Sequence, residues 1–348
     1  MLKRIIALFL CILLPTLCFA GCGESSAPTP LTTDVENPKL SKGINMSGLE
    51  YSVRLRGHLY KTSTYEDVAK QGFDHIRLPV DFRKHLDKNG NITDKFFNTL
   101  DDIINMANSQ GLAVVLDFHG WYDFNTENGD DEIFLSIWKS LAEHYKDYSN
   151  MLLFELINEP HTTEGGNLTM ERLMELQCKA IEAIRAISPQ RTIVIATAEW
   201  NGHWTLDYFT PPDYDNLILA VHVYTTLEFT HQGQAWMGTL NDRVPLNDDI
   251  MLELHSALRD IKEFKERTGM RVIINEFGLT TSGAISDDDI YRYLSTITSF
   301  AKDKDIGWTY WEYNEGFGAY KPGFLRIGGE WRESVLDGLF LRERQSDS

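Results

Sequence analysis

Cysteine is scarce and poorly placed for cross-linking: Cys11, Cys18, Cys22 and Cys178 are the only four in 348 residues. Three fall at the extreme N-terminus and Cys178 stands alone in a helical stretch. A disulfide framework is therefore not expected, and Cys178 should pack as a small apolar side chain. Positive charge is also short, with 33 Lys and Arg against 51 Asp and Glu and a formal net charge of -18. Such a field repels nucleic acid and anionic membrane surfaces and suits a soluble protein with a neutral partner. No Gly-rich phosphate loop follows the first strand candidate, which weakens a doubly wound nucleotide-binding sheet. That strand also lacks a His-x-His pair. Asp117, His119 and His222 are residue types that bind metals, but the usual ligand set of a metal-dependent barrel is missing, so no metal and no cofactor are expected.

Long apolar runs are confined to the start. Lys3 and Arg4 precede the run Ile5–Phe19, which is too short for a comfortable membrane span and ends in Ala20, Gly21 and Cys22. A basic start, a short apolar core and small residues at its end read as a secretory signal over residues 1–22. An uncleaved anchor helix is the alternative. Cys22 after Ala20-Gly21 resembles a bacterial lipobox, with Phe19 where that pattern prefers Leu. The expected location is therefore secreted or attached to the bacterial surface, including the outer membrane, through lipidated Cys22. Plain cleavage and release is the alternative. Residues 23–38 are rich in Gly, Ser, Pro and Thr and read as a flexible tether. A single catalytic domain is expected over 39–348, with no appended module, and a monomer is expected.

Beyond the tether, short apolar runs alternate with longer amphipathic segments. Strands are expected at Ile44–Met46, His75–Leu78 (stopped by Pro79), Ala113–Phe118, Leu152–Ile157, Thr192–Ala196, Leu217–Val223, Arg271–Asn275 and Gly307–Trp311. Helices are expected at Tyr65–Gln71, Asp94–Gln110, Glu132–Tyr145, Thr169–Ile187, Ile250–Arg267, Asp287–Lys302 and around Ser334–Leu341. Runs such as Ile193-Val194-Ile195 and Val272-Ile273-Ile274 lack polar alternation, which marks parallel strands covered on both faces. Eight strands alternating with helices favour an α/β fold of the closed (β/α)8 TIM-barrel type.

Active groups of such barrels sit at the C-terminal ends of the strands. Those ends carry Arg77, His119, Asn158, Glu159, His222, Tyr224, Glu276 and Trp311. Glu159 closes strand four and Glu276 closes strand seven, so the two can face each other across the barrel mouth. Each follows an apolar strand, where partial desolvation tends to hold a carboxyl proton. Two facing carboxylates are the minimal equipment for cutting a glycosidic bond, one giving a proton to the leaving oxygen and the other attacking the sugar carbon. Retention of configuration needs them about 5–5.5 Å apart, and a wider gap predicts inversion. Trp200, Trp204 and Trp236 lie on the loops after strands five and six and suit a sugar platform. Trp200 and Trp236 are carried into the candidate site.

The chain resembles glycoside hydrolase family 5 from Gly43-Ile44-Asn45 to Phe317-Gly318. The landmarks are His75-Ile76-Arg77-Leu78-Pro79, Asn158-Glu159-Pro160, His222-Val223-Tyr224, Glu276-Phe277-Gly278 and Trp311-Glu312. Their order on successive strand ends is specific where any single triplet is not. Thr197-Ala198-Glu199-Trp200 and Phe229-Thr230-His231-Gln232-Gly233 with Trp236 make it most similar to the bacterial endoglucanases of that family, some of which also cut mannans.

The resemblance implies a retaining endo-β-1,4-glucanase acting on a β-linked polysaccharide, with Glu159 as acid/base and Glu276 as nucleophile. Arg77 would lie under Glu276, Tyr224 would bond the same carboxylate, and His222 would lie near Glu159. Asn158 would bond the sugar 2-hydroxyl, His119 would contact the sugar and Trp311 would form its floor. His231 joins Trp200 and Trp236 among the substrate-binding candidates. A mannanase, glucomannanase or xyloglucanase using the same machinery is the alternative, and a non-catalytic polysaccharide-binding barrel a distant one. Two positions depart from the family pattern. Gly43-Ile44-Asn45-Met46-Ser47-Gly48 stands where Gly-x-Asn-x-Gly-Asn is common, and His119 is followed by Gly120 instead of a second histidine. Both changes remove a polar group near the substrate.

Overall fold

A computed structural model describes residues 37–50, 60–238, 243–281, 283, 285–324 and 328–343. The secretory signal, Cys22 and nearly all of the tether lie outside the described residues. Eight parallel strands form a closed barrel in sequence order: β1 (Lys42–Asn45), β2 (His75–Val80), β3 (Ala113–Phe118), β4 (Leu152–Glu155), β5 (Ile193–Ala196), β6 (Leu217–Val223), β7 (Arg271–Phe277) and β8 (Gly307–Tyr310). Closure is made by β8 against β1, with Lys42 opposite Trp308 and Ile44 opposite Tyr310. The helices are α1 (Thr62–Gln71), α2 (Asp94–Asn108), α3 (Asp130–His144), α4 (Met170–Arg185), the short α5 (Ala198–Asn201) and α6 (Leu227–Thr230), then α7 (Asp248–Thr268), α8 (Asp287–Asp303) and α9 (Glu333–Phe340). A small antiparallel hairpin, β9 (Tyr320–Pro322) and β10 (Gly329–Trp331), follows β8. This is the (β/α)8 barrel read from the alternation of runs.

Two apolar regions hold it. The larger lies between the strands and the ring of helices, where α2 buries Phe96, Leu100 and Ile104 and α8 buries Tyr293, Leu294 and Ile297. The smaller plugs the barrel interior with Ala113, Val115, Leu153, Val194, Ala220 and Ile273. Inward-facing residues recur every second position along a strand. On β3 the series Ala113, Val115, Asp117 therefore climbs from an apolar floor to a charged layer, and on β4 Leu153 is followed by Glu155. The strands look uniformly apolar in sequence because outward positions face helices and the lower inward positions face the plug.

Gly43 shows how tight that floor is. A Cβ there would lie 2.1 Å from His75 Nε2, so the histidine ring occupies the space a side chain would take. His75 Nε2 in turn shares a hydrogen bond with Thr309 Oγ1 at 2.8 Å. Several boundaries differ from expectation: β4 ends at Glu155 and not at Ile157, and β7 runs past Asn275 to Phe277. Pro79 does not stop β2; it lies within the strand, opposite Asp117 of β3. Arg77 O accepts from Met46 N and Val80 O accepts from His119 N. Pro79 therefore turns its missing N–H towards β1, which has already ended at Asn45, and no ladder bond is lost. Asn37 and Pro38 already engage the barrel base: Asn37 Nδ2 donates to Asn216 Oδ1 at 3.0 Å, and Arg271 Nη2 donates to Pro38 O at 3.1 Å. Cys178, on α4, is free and half-buried.

Candidate active site

The charged layer above the plug is organised by one cation. Arg77, fully buried on β2, donates from Nε and Nη2 to both oxygens of Glu155 at 2.8 and 2.9 Å. Its Nη1 reaches Asn45 Oδ1 at 3.0 Å and Glu276 Oε1 at 2.6 Å. Its Nη2 also meets Asn158 Oδ1 at 2.8 Å and Asp117 Oδ2 at 2.9 Å. Burial opposes charge on the guanidinium, but Asp117, Glu155 and Glu276 outweigh it and hold Arg77 firmly protonated. Asn275 Nδ2 adds a bond to Glu155 Oε1 at 2.7 Å, and Asn45 Nδ2 donates to the carbonyls of Asn275 and Tyr310, each at 3.2 Å. Every strand from β1 to β4 and β7 thus contributes to one buried network, which aims the groups above it.

Those groups line a cleft of about 940 Å³ at the C-terminal mouth. Glu276, next to last on β7, is buried, with Tyr224 donating to its Oε2 at 3.1 Å from just beyond β6. Glu159 stands across from it. Its Oε1 shares a 2.8 Å hydrogen bond with His222 Nδ1, which lies 3.7 Å from Glu276 Oε2. A carboxyl oxygen of Glu159, a carboxyl oxygen of Glu276 and His222 Nδ1 all fall within 4.8 Å of one another. Among the described residues this trio is also where side chains could hold a metal ion. Glu159 sits at φ 47°, in the left-handed region that costs a side-chain-bearing residue about 1–3 kcal/mol.

The two carboxyls have different surroundings. Burial pushes Glu159 up to about 7, while Glu276 accepts from Arg77 Nη1 and from the Tyr224 hydroxyl. Burial also lowers His222 and His119 to about 4, so both imidazoles are neutral near pH 7. Neutral His222 can donate to ionised Glu159 or accept from its protonated form. His119 Nδ1 bonds Asp117 Oδ2 at 2.8 Å, which leaves Nε2 facing Asn158 Nδ2 at 3.4 Å. Its ring lies nearly parallel to Trp311, with centroids 5.7 Å apart. The Trp311–Glu312 peptide is cis.

Ten of the residues named from sequence line the cleft: Glu159, Glu276, His119, Trp200, Trp204, His222, Tyr224, His231, Trp236 and Trp311. Arg77 and Asn158 lie beneath, in the supporting layer. Sequence reasoning missed Glu155 and Asn275 and read Asp117 only as a conceivable metal ligand. Their signal was a charge or amide inside an otherwise apolar strand. It also missed Tyr122, Glu164, Leu227 and Phe317, which line the cleft from loops without strand-end landmarks. The two departures from the family pattern have structural partners. Ser47 donates to Glu312 Oε2, and Gly120, at φ 81°, offers its carbonyl to Arg83 Nη2 at 2.6 Å.

A closed (β/α)8 barrel that sets two glutamates across a cleft, one proton-holding and one ion-paired, defines a glycoside-cleaving enzyme of the two-carboxylate class. Residues 38–316 match the family described as Cellulase (glycosyl hydrolase family 5). The chain belongs to that family. It is 25% identical over 275 residues to Cellodextrinase A of Ruminococcus flavefaciens, covering 74% of this chain and 80% of that protein. It is 27% identical over 284 residues to Endoglucanase H of Acetivibrio thermocellus, covering 79% of this chain but 30% of that longer protein. Among solved structures, Cel5A of Thermotoga maritima in complex with cellobiose superposes with a TM-score of 0.78 at 32% identity, covering 87% of this chain and 98% of the other. The same enzyme in complex with mannotriose gives 0.77 at 32% identity, with 87% and 98% covered.

Proposed function

We propose that the protein is an endo-acting, retaining hydrolase of β-1,4-glucan, with Glu159 as acid/base and Glu276 as nucleophile. The observation that carries this is the approach of the two carboxyls within 4.8 Å across the cleft. That gap suits direct attack on the sugar carbon and leaves little room for the intervening water an inverting enzyme needs. Glu159, protonated below about pH 7, gives its proton to the leaving oxygen as Glu276 bonds to the anomeric carbon. Once the leaving sugar has gone, ionised Glu159 takes a proton from water, which attacks the same carbon and releases Glu276. His222 keeps Glu159 aimed in both states. Arg77 and Tyr224 hold Glu276 in place by hydrogen bonds. Asn158 bonds the 2-hydroxyl, His119 contacts the sugar and Trp311 is its floor; Trp200, His231 and Trp236 bind further along the chain.

The test is stereochemical. Proton NMR of early product from cellohexaose should show the β-anomer first, and an initial α-anomer would rule out this chemistry. Glu276→Ala should lose at least about three orders of magnitude in kcat, the scale of removing a nucleophile, while still binding the oligosaccharide.

A second reading, cleavage of β-1,4-mannan or glucomannan by the same groups, draws support from the Thermotoga maritima enzyme, which has been seen with both cellobiose and mannotriose. For the whole chain we propose a secreted or surface lipoprotein, monomeric, attached through Cys22 and residues 23–38 to a single catalytic barrel. Among the described residues no helix is long and apolar enough to cross a membrane.

A further inference from the structure

Large apolar side chains exposed to solvent are few, and four of them meet in the cleft: Tyr122, Trp204, Leu227 and Trp236. Trp204 is the aromatic of the four whose seat on the loop after β5 is most closely defined. It is 55% exposed, so the core does not need it. Its position is nonetheless tightly set. The indole lies on the backbone of Gly202, where a Cβ would come within 2.3 Å of Trp204 Cζ2 and 2.5 Å of Cε2. Gly202 has φ -70° and ψ 136°, a conformation any residue adopts. The ring above it, not the backbone, is what a side chain there would disturb.

The loop beneath is braced on several sides. Thr205 Oγ1 donates to Gly202 O at 2.8 Å and pairs with Thr197 Oγ1 at 2.6 Å. His203 Nδ1 bonds Asp260 Oδ2 of α7 at 2.9 Å, and Arg267 Nη2 donates to Leu206 O at 2.8 Å. A bulky aromatic held in one pose on a rigid loop, one face on a glycine and the rest open to a cleft, is a preorganised contact surface.

Its place along the cleft follows from the strand order. Glu159 leaves β4, and the next strand, β5, leads into the loop carrying Trp200 and Trp204. The two loops are joined by Trp200 N donating to Pro160 O at 3.2 Å and Thr162 Oγ1 donating to Glu199 Oε1 at 3.1 Å. Trp200 packs edge-on against His161, two residues from Glu159, with ring centroids 3.7 Å apart. Trp204, four residues beyond Trp200, lines the same cleft. Trp311, after β8, stands on the side of Glu276.

Resting on the assignment of Glu159 as proton donor to the leaving oxygen, we infer that Trp204 is an outer stacking platform for a sugar of the leaving-group chain, beyond the one beside Trp200. Gly202 is bare because the indole must lie on it. The site takes the apolar face of a β-1,4-linked pyranose and favours long chains over short ones.

The test compares kcat/KM for cellohexaose, which extends past the leaving position, with that for 4-nitrophenyl β-cellobioside, whose leaving group carries no further sugar. In Trp204→Ala the ratio of the two should fall about tenfold, mainly through KM, which corresponds to about 1.4 kcal/mol. Trp204→Phe should restore part of it, and Gly202→Ala should lower the ratio in the same direction by lifting the ring from its seat. A structural role would depress both substrates equally; an unmoved ratio in Trp204→Ala overturns the subsite. A lowered ratio in Trp204→Ala with none in Gly202→Ala overturns the seat. Failure of the unaltered protein to cleave either substrate would instead defeat the functional reading on which this one rests.

Discussion

Glu159 is a residue whose environment decides its chemistry. Burial pushes it up to about 7, so it holds its proton below that pH and loses it above. Because the protonated form is the one that assists departure, kcat/KM should be full below about pH 7 and fall roughly tenfold per pH unit above it. The check is a pH profile on an unactivated oligosaccharide. In Glu159→Gln that alkaline limb should vanish on an aryl glycoside whose leaving group needs no proton. An unchanged limb in the variant would show that another group sets it. Arg77 makes the complementary point. Its guanidinium is satisfied by acidic and amide groups drawn from strands far apart in sequence, and that convergence sets a buried cation directly against Glu276. The triplets around Glu159 and Glu276 were visible from the sequence because each stands at the end of an apolar run. Glu155 was not, because a carboxylate inside such a run gives no hint of which cation meets it.

At the scale of elements, the βα unit that carries Glu159 is tied down from below. Arg191, at the entrance to β5, donates from Nη1 to Ser149 O and Leu152 O at 2.8 and 2.7 Å. Its Nη2 donates to Tyr145 O and Tyr148 O at 2.6 and 3.1 Å. These carbonyls lie where α3 has ended and the chain turns into β4; Tyr145 O and Ser149 O also accept the backbone N–H groups of Tyr148 and Leu152. Arg191→Met should therefore destabilise the fold by about 3 kcal/mol, since four carbonyls lose charge-assisted bonds, and Tyr145 O and Ser149 O keep backbone N–H groups while Tyr148 O and Leu152 O lose their guanidinium donor. Urea denaturation followed by tryptophan fluorescence measures this, and a loss under about 0.5 kcal/mol, the range of ordinary surface changes, would refute it. Element type was legible for the barrel strands and the longer helices, though not for α5, α6 or the β9–β10 hairpin: β3 and β6 span the residues expected from their apolar runs, and α8 begins at Asp287 behind the Ser286 cap. The end of β2 was not, because whether Pro79 interrupts a strand depends on which neighbour its missing N–H would have met.

At the scale of the molecule, the chain enters the barrel at its base through Asn37 and Pro38, while the cleft opens at the C-terminal ends of the strands. A lipid on Cys22 would therefore hold the protein by the pole opposite its cleft, leaving the mouth free to meet an extended polysaccharide. In a bacterium that lipidates secreted proteins, the intact chain should fractionate with membranes and take up labelled fatty acid. Cys22→Ala should appear in the soluble fraction with unchanged specific activity. Unlabelled wild-type protein in the medium would count against the anchor.

By itself the sequence determined the alternation of strands and helices, the barrel class and the two glutamates at strand ends, since each is written in local periodicity and in short motifs. Only the tertiary structure decided that oxygens of those carboxyls come within 4.8 Å of each other, the buried layer around Arg77 and the seating of Trp204 on Gly202. Inward parity on each strand is set by closure of the sheet, and closure brings together residues as distant as Asn45 and Tyr310. No local pattern encodes a distance across a ring; it exists only once the eighth strand has met the first.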